Sequence, residues 1–167
     1  EFPNKKQKLK DILFATVDDQ RSTESALKLI SDLKSEVQTA EPVTLNTMLD
    51  TLNEIRIAIA EAVETSKING NYHGSADSVS LQLNELTSQT VLKLIKQEYG
   101  RGAISVKRLA QIICRLLPDL NELRRLLPGI KTLLIEEGMT LDDYLQLIKM
   151  LNVRIDSESL ADSLGSA

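Results

Sequence analysis

The chain contains a single cysteine, a single histidine and no tryptophan, which excludes several kinds of chemistry. With Cys114 as the single cysteine, an intrachain disulfide is impossible, and a cytoplasmic location is expected. Cys114 lies in the apolar run Ile-Ile-Cys-Arg-Leu-Leu, which predicts a buried small residue and not a nucleophile. His73 has no second histidine with which to hold a metal, so neither a metal nor another cofactor is expected.

Common catalytic and nucleotide-binding motifs are also absent. No P-loop, dinucleotide-binding, calcium-loop or nucleophile-elbow pattern occurs in the sequence. Neighbouring acids such as Asp142 and Asp143 point about 100° apart on a helix, so they do not converge on one metal or water. We therefore expect no catalytic activity; the alternative is an enzyme whose carboxylates come together only on folding. No segment reaches the roughly 18 consecutive apolar residues of a membrane span, so no membrane partner is expected.

Aromatic and turn-forming residues are scarce, whereas aliphatic residues are abundant. Hydrophobic residues make up 42% of the chain but aromatic residues only 3%, with seven glycines and four prolines. Sheets favour β-branched and aromatic residues with frequent turns, so this composition predicts an all-α fold. We expect one domain over 5–164 with six to eight helices. Long helices in about 5–99 form a bundle packed with a cluster of shorter helices in about 104–164, and 1–4 and 165–167 are flexible ends.

Apolar residues at steps of three and four define the predicted helices of the first half. The segment 5–38 has apolar ends and a polar middle near Asp18-Asp19-Gln20, which leaves open one helix or two. A second helix is expected after Glu41-Pro42, with Thr44 as its N-cap, and it should end near Ile68.

Glycine, proline and small polar residues mark the expected boundaries farther along the chain. The stretch 69–78 is predicted to be a loop. The third helix should end near Tyr99, with Gly100 in the left-handed conformation that stops a helix. A fourth helix is expected to start after a Ser105 cap and to end at Pro118.

The last third of the chain is predicted to contain short helices. Asp119 begins a pattern that resembles a capping box and opens a fifth helix, which Pro128-Gly129 should terminate. A sixth helix is expected up to Gly138, and a seventh should start after Thr140. A tail helix is expected over 156–164.

One stretch is strongly basic although the chain as a whole carries a net charge of −4. Lys107 or Arg108 can share a helix face with Arg115, and arginine suits bidentate contacts with carboxylates and phosphates. Between 101 and 131 there are two acids and seven basic residues: Arg101, Lys107, Arg108, Arg115, Arg124, Arg125 and Lys131.

The basic stretch leaves three interpretations open. The acidic flanks of the same chain could neutralise it within the fold. It could bind an acidic protein surface, or it could bind nucleic acid, which the low pI of about 5.1 and the scarcity of aromatic residues disfavour. Self-association through amphipathic helices is a further alternative. We expect a non-catalytic interaction or regulatory module with the seven basic residues as its partner-binding site. The opening Glu1-Phe2 without methionine predicts a fragment of a longer protein. We expect that longer protein to be an intracellular signalling or assembly protein.

Overall fold

All regular structure in the described part of the chain is helical, which confirms the predicted all-α fold. The computed structural model describes residues 23–72, 74, 76–102 and 104–152, together with Gln7 and Asp11. Six helices lie in the continuous stretches: α1 (Thr23–Thr39), α2 (Pro42–Ile68), α3 (Asp77–Gly100), α4 (Val106–Leu116), α5 (Leu120–Glu136) and α6 (141–152). This number agrees with the predicted six to eight.

The chain is divided into two compact units, which we call unit 1 (Glu1–Lys93) and unit 2 (Leu94–Ala167). The division lies inside α3, which is a continuous helix of 24 residues. In unit 1 the apolar stripes of α1 and α2 are buried; the most completely buried side chains include Ile30, Leu33, Leu45, Met48, Leu52 and Ile55. In unit 2 the buried residues include Leu94, Ile95, Leu109, Ile113, Leu123 and Leu134. The predicted single domain over 5–164 stays a prediction.

The predicted first segment is described from Thr23 onward, where it is helical. Before that point, Gln7 and Asp11 are helical, and Gln7 Nε2 donates a hydrogen bond of 2.9 Å to Asp11 Oδ1. The question of one helix or two near 18–20 lies outside the described residues. The same holds for the tail helix over 156–164 and for the ends 1–4 and 165–167.

Helix α2 starts three residues earlier than the sequence predicts, so the assignment of Thr44 as its N-cap was wrong. Glu41 is the N-cap, with extended backbone angles of φ −79° and ψ 159°, and Pro42 occupies the first turn. Proline is well suited to that place because its missing N–H would have no partner inside the helix in any case. Asn46 Nδ2 also donates a hydrogen bond of 2.8 Å to Pro42 O, which helps to fix the turn.

The predicted caps of the later helices are confirmed, because each cap residue accepts a hydrogen bond from a backbone N–H of the first turn. Such a bond satisfies one of the donors that a helix leaves unpaired at its start. The three donor–acceptor pairs are Arg108 N to Ser105 Oγ at 3.1 Å, Asn121 N to Asp119 Oδ1 at 2.8 Å, and Asp143 N to Thr140 Oγ1 at 3.2 Å.

Helix α5 continues through Pro128, so the predicted break at Pro128-Gly129 was wrong. A proline inside a helix removes one hydrogen bond and disfavours the helix by about 3 kcal/mol. Against this, Leu123, Leu126, Ile130 and Leu134 are buried in one stripe that stays in phase across the proline. Burying four aliphatic side chains stabilises by about 1.5–3 kcal/mol each, which outweighs the proline. Pro128 itself lies on the exposed side of the helix.

The loop between α2 and α3 is tied to the start of α3 by Tyr72. Its hydroxyl donates a hydrogen bond of 2.6 Å to Asp77 Oδ1 and accepts one of 3.1 Å from Ala76 N. The Lys67 ammonium lies 5.7 Å from the centre of the Tyr72 ring. Burial, and then the hydrogen bond to Asp77, raise the pKa of Tyr72 above its ordinary value. The predicted loop is thus held at one end by a side-chain contact.

Helix α3 ends at Gly100, but the left-handed glycine that follows this end is Gly102 and not Gly100, which corrects the predicted glycine stop. Gly100 is still helical, whereas Gly102 has a φ of +76° and donates its N–H to Tyr99 O at 3.2 Å. A positive φ is disfavoured for every residue with a Cβ. Gly100 therefore has helical backbone angles that alanine also adopts, whereas Gly102, two residues later, has angles that favour glycine.

We expect alanine at Gly100 to raise the free energy of unfolding by about 0.5 kcal/mol, because alanine favours a helix more than glycine does. The added Cβ would meet Glu137 Oε2 at an ordinary 3.7 Å. Alanine at Gly102 should lower that free energy by about 1 kcal/mol, since its φ of +76° strains any residue with a Cβ. Urea unfolding of the two variants measures both changes. The same sign for both would contradict this assignment of the helix stop.

Candidate acidic-partner interface

Helix α4 is divided into a buried side and a basic side. Leu109, Ile112 and Ile113 are among the residues buried on one side. Lys107, Arg108 and Arg115 are exposed, and their offsets of one, seven and eight residues place them within about 100° of arc on the other side. We call these three residues the α4 basic face. Because the opposite side is packed, the backbone that carries the three cations is fixed within unit 2.

All seven predicted site residues are exposed, but three of them already have neighbours in unit 2. The three contacts are Arg101 Nη1 to Glu98 Oε1 at 3.8 Å, Arg125 Nη2 to Glu122 Oε1 at 3.9 Å, and Lys131 Nζ to the centre of the Tyr144 ring at 5.7 Å. Exposed pairs of this kind contribute about 0–1 kcal/mol each. Two of the seven cations therefore have a carboxylate of the same chain within ion-pair distance, and the three interpretations of the stretch stay predictions.

The α4 basic face and Arg124 of α5 are not neutralised in this way. No acidic side chain of the described residues lies within ion-pair distance of these four cations. The guanidinium Nη1 of Arg108 contacts the neutral amide oxygen of Gln111 at 3.5 Å. Arg124 lies seven residues before Lys131, on the same exposed side of α5. Among the seven cations of the basic stretch, those without a neighbouring carboxylate or ring in the described part are the three of α4 and Arg124.

Cys114 is partly exposed, so the prediction that it is buried was wrong. It lies between buried Ile113 and exposed Arg115, at the border between the two sides of α4. At seven residues from Lys107 it is about 20° from that side chain around the helix. An apolar run in the sequence does not distinguish the centre of a buried side from its edge.

A shallow groove of about 280 Å³ lies between α1 and α3 in unit 1, and Lys34 is the charged side chain that lines it. The Lys34 ammonium donates to Gln82 Oε1 at 2.5 Å and pairs with Glu85 Oε2 at 3.1 Å. The groove thus brings together one cation that already has partners and no pair of carboxylates. The alternative of an enzyme with carboxylates assembled by folding gains no support from it.

Two further observations concern metals and membranes. Among the described residues, no three His, Cys, Asp or Glu side chains are grouped so that they could hold a metal ion. His73 lies outside the described residues. None of the described helices combines the length and the apolar character that a membrane crossing requires.

Comparison of the chain with known protein families, with curated proteins and with solved structures gives no match in any of the three. The functional argument is therefore carried by the α4 basic face and by the other surfaces of the described helices.

Proposed function

We propose that this chain is a non-catalytic helical interaction or regulatory module that binds an acidic protein surface through the α4 basic face, assisted by Arg124. The observation that supports this is the exposure of Lys107, Arg108 and Arg115 without an ion pair in the described part, on a helix whose other side is packed. Arginine forms bidentate hydrogen bonds with carboxylates, so two arginines on one side favour an acidic partner. A cytoplasmic role within a larger signalling or assembly protein belongs to the same proposal.

An acidic protein is favoured over nucleic acid by the charge of the rest of the chain. The net charge is −4 and the pI is about 5.1. Domains that bind nucleic acid are usually basic as a whole, and those that bind single strands often add aromatic residues for stacking. A small basic face on an acidic protein suits a partner with localised carboxylates better than a continuous phosphate backbone.

The test is a double charge reversal, Arg108→Glu with Arg115→Glu, titrated with polyglutamate as an acidic probe of defined composition. We expect the variant to bind at least about tenfold more weakly than the original chain, because both attractive contacts become repulsive. Isothermal titration calorimetry or fluorescence anisotropy measures the dissociation constant, and circular dichroism checks that the helices are intact.

The matched control is Lys28→Glu with Lys149→Glu, which changes the net charge equally at exposed positions on α1 and α6. The control should bind polyglutamate within about twofold of the original chain, since neither lysine belongs to the α4 basic face and exposed charges are screened by salt. Equal losses in the two variants would overturn the assignment to α4. A parallel titration with duplex and single-stranded oligonucleotides distinguishes the alternative, because tight binding that falls steeply with salt would indicate nucleic acid.

A further inference from the structure

A second charged surface lies on unit 1, along the outer side of α2. It is a row of exposed residues whose spacing alternates between four and three, as along the seam of a coiled coil. The row carries four acidic and three aliphatic side chains but no basic one. We call it the α2 seam, and it consists of Val43, Thr47, Asp50, Glu54, Ile57, Glu61, Glu64 and Ile68.

The aliphatic members of the α2 seam are strongly exposed. The exposed fractions are 78% for Val43, 63% for Ile57 and 79% for Ile68. Single exposed aliphatic residues are common on proteins, but these three lie on one line of a 27-residue helix whose opposite side is buried. Asp50 and Glu61, which lie between them, have no cation of the described residues within ion-pair distance. The row has the composition of an interface for a partner that is basic and partly apolar.

Two α2 seams are poorly suited to pair with each other. Apolar residues at these positions would favour a coiled coil, but here four of the eight are acidic, so like charges would meet along the contact. The occupant must therefore bring positive charge. The charge pattern disfavours a symmetric pairing of α2 with α2 and points to a different surface.

The α4 basic face has the spacing that the α2 seam requires. Arg108 and Arg115 are seven residues apart, and so are Glu54 and Glu61. Seven residues of α-helix rise about 10.5 Å, so the two arginines can face the two glutamates at matching heights. Ile57 lies three residues after Glu54, and Gln111 lies three residues after Arg108. In this alignment Ile57 would face the aliphatic stem of Gln111.

We propose that the α2 seam of one copy of this chain binds the α4 basic face of a second copy. The contact is heterologous, because each copy offers a different surface, and it therefore builds rings or open rows of copies and not a symmetric dimer. This inference rests on the proposed function. It identifies the acidic protein surface as the α2 seam of another copy of the chain.

The first test is sedimentation of the full chain over a range of concentrations at low and at high salt. We expect oligomers that grow with concentration and that dissociate at high salt, because the contact relies on exposed charges. Glu54→Lys with Glu61→Lys, and separately Arg108→Glu with Arg115→Glu, should each weaken association at least about tenfold. The control Glu24→Lys with Asp32→Lys makes the same charge change on exposed positions of α1 and should associate like the original chain.

The decisive test combines the two charge reversals. An equimolar mixture of the two variants should form oligomers that neither variant forms alone, because the intact basic face of one variant meets the intact seam of the other and the two reversed surfaces also carry opposite charges. A chain that carries all four substitutions should associate again, since both charges of each pair are exchanged. Restored association also shows that the single variants had not lost association through misfolding.

Specific outcomes would overturn the inference. A chain that sediments as a single copy at every concentration would do so, as would a mixture of variants without a complex. An Ile57→Ser variant that associates like the original chain would also contradict it, because that change removes the central aliphatic contact and leaves the charge unaltered. Titration with polyglutamate separates the two proposals. If the original chain binds polyglutamate but does not self-associate, the proposed function stands and the inferred partner is wrong.

Discussion

Replacing Leu52 by alanine is expected to lower the free energy of unfolding by about 2–5 kcal/mol. The Leu52 side chain is fully buried in unit 1, where α2 packs among other aliphatic residues. Removing three carbons from such a site forfeits their transfer from water and leaves a cavity that neighbours fill only in part. Stabilities of single domains are commonly about 5–15 kcal/mol, so a loss of this size is a large fraction of the total. Urea unfolding monitored by circular dichroism at 222 nm measures the change.

Leu81→Ala is the matched control for this prediction. Leu81 also belongs to a helix of unit 1, but 59% of it is exposed, so the same chemical change removes little buried surface. We expect a change within about 0.5 kcal/mol. Comparable losses in the two variants would mean that the core of unit 1 lies elsewhere than in the stripe that contains Leu52.

Alanine at Pro128 is expected to raise the free energy of unfolding by about 1–2 kcal/mol. The substitution supplies an N–H that can donate to the carbonyl of Arg124 and removes the clash between the proline ring and that carbonyl. The gain is smaller than the roughly 3 kcal/mol of a helix interior because alanine gives the unfolded chain more freedom. Urea unfolding compared with that of the original chain gives the difference.

Pro118→Ala should have the opposite sign. Pro118 lies between α4 and α5, outside any helix, so alanine there gains no helical hydrogen bond. Because alanine increases the conformational freedom of the unfolded chain, we expect the free energy of unfolding to fall by about 0.4–1 kcal/mol. If alanine at Pro128 destabilised the protein as much as alanine at Pro118, the proline would be required where it stands, and the account of α5 given above would be wrong.

The positions of the helices were predictable because the aliphatic stripes and the caps agree with each other. Ser105, Asp119 and Thr140 precede apolar periods, and all three cap a helix in the structure. Local signals failed where packing opposed them. Pro128 was predicted to end a helix from its intrinsic preference, although the stripe around it keeps one phase from Leu123 to Leu134 and could have corrected the prediction.

The sequence predicts the positive charge of the candidate site but not all the side-chain contacts that its cations make. The basic stretch is evident in the sequence, and the neighbours of Arg101 and Arg125 lie three residues away, at a spacing typical of helical ion pairs. The contact of Lys131 with Tyr144 joins residues on different helices, which only folding reveals. The α2 seam was not predicted, because the buried aliphatic stripe on the opposite side of α2 is the stronger periodic signal in the sequence. The seam's own spacing of four and three residues could have indicated it.

The place of Cys114 at the border of α4 gives the chain a built-in reporter. It is the single thiol of the sequence, it is partly exposed, and it adjoins Arg115. A maleimide fluorophore attached there would lie beside the three cations without any engineered cysteine. Quenching or a spectral shift on addition of a binding partner would then follow occupancy of this side of α4 in real time.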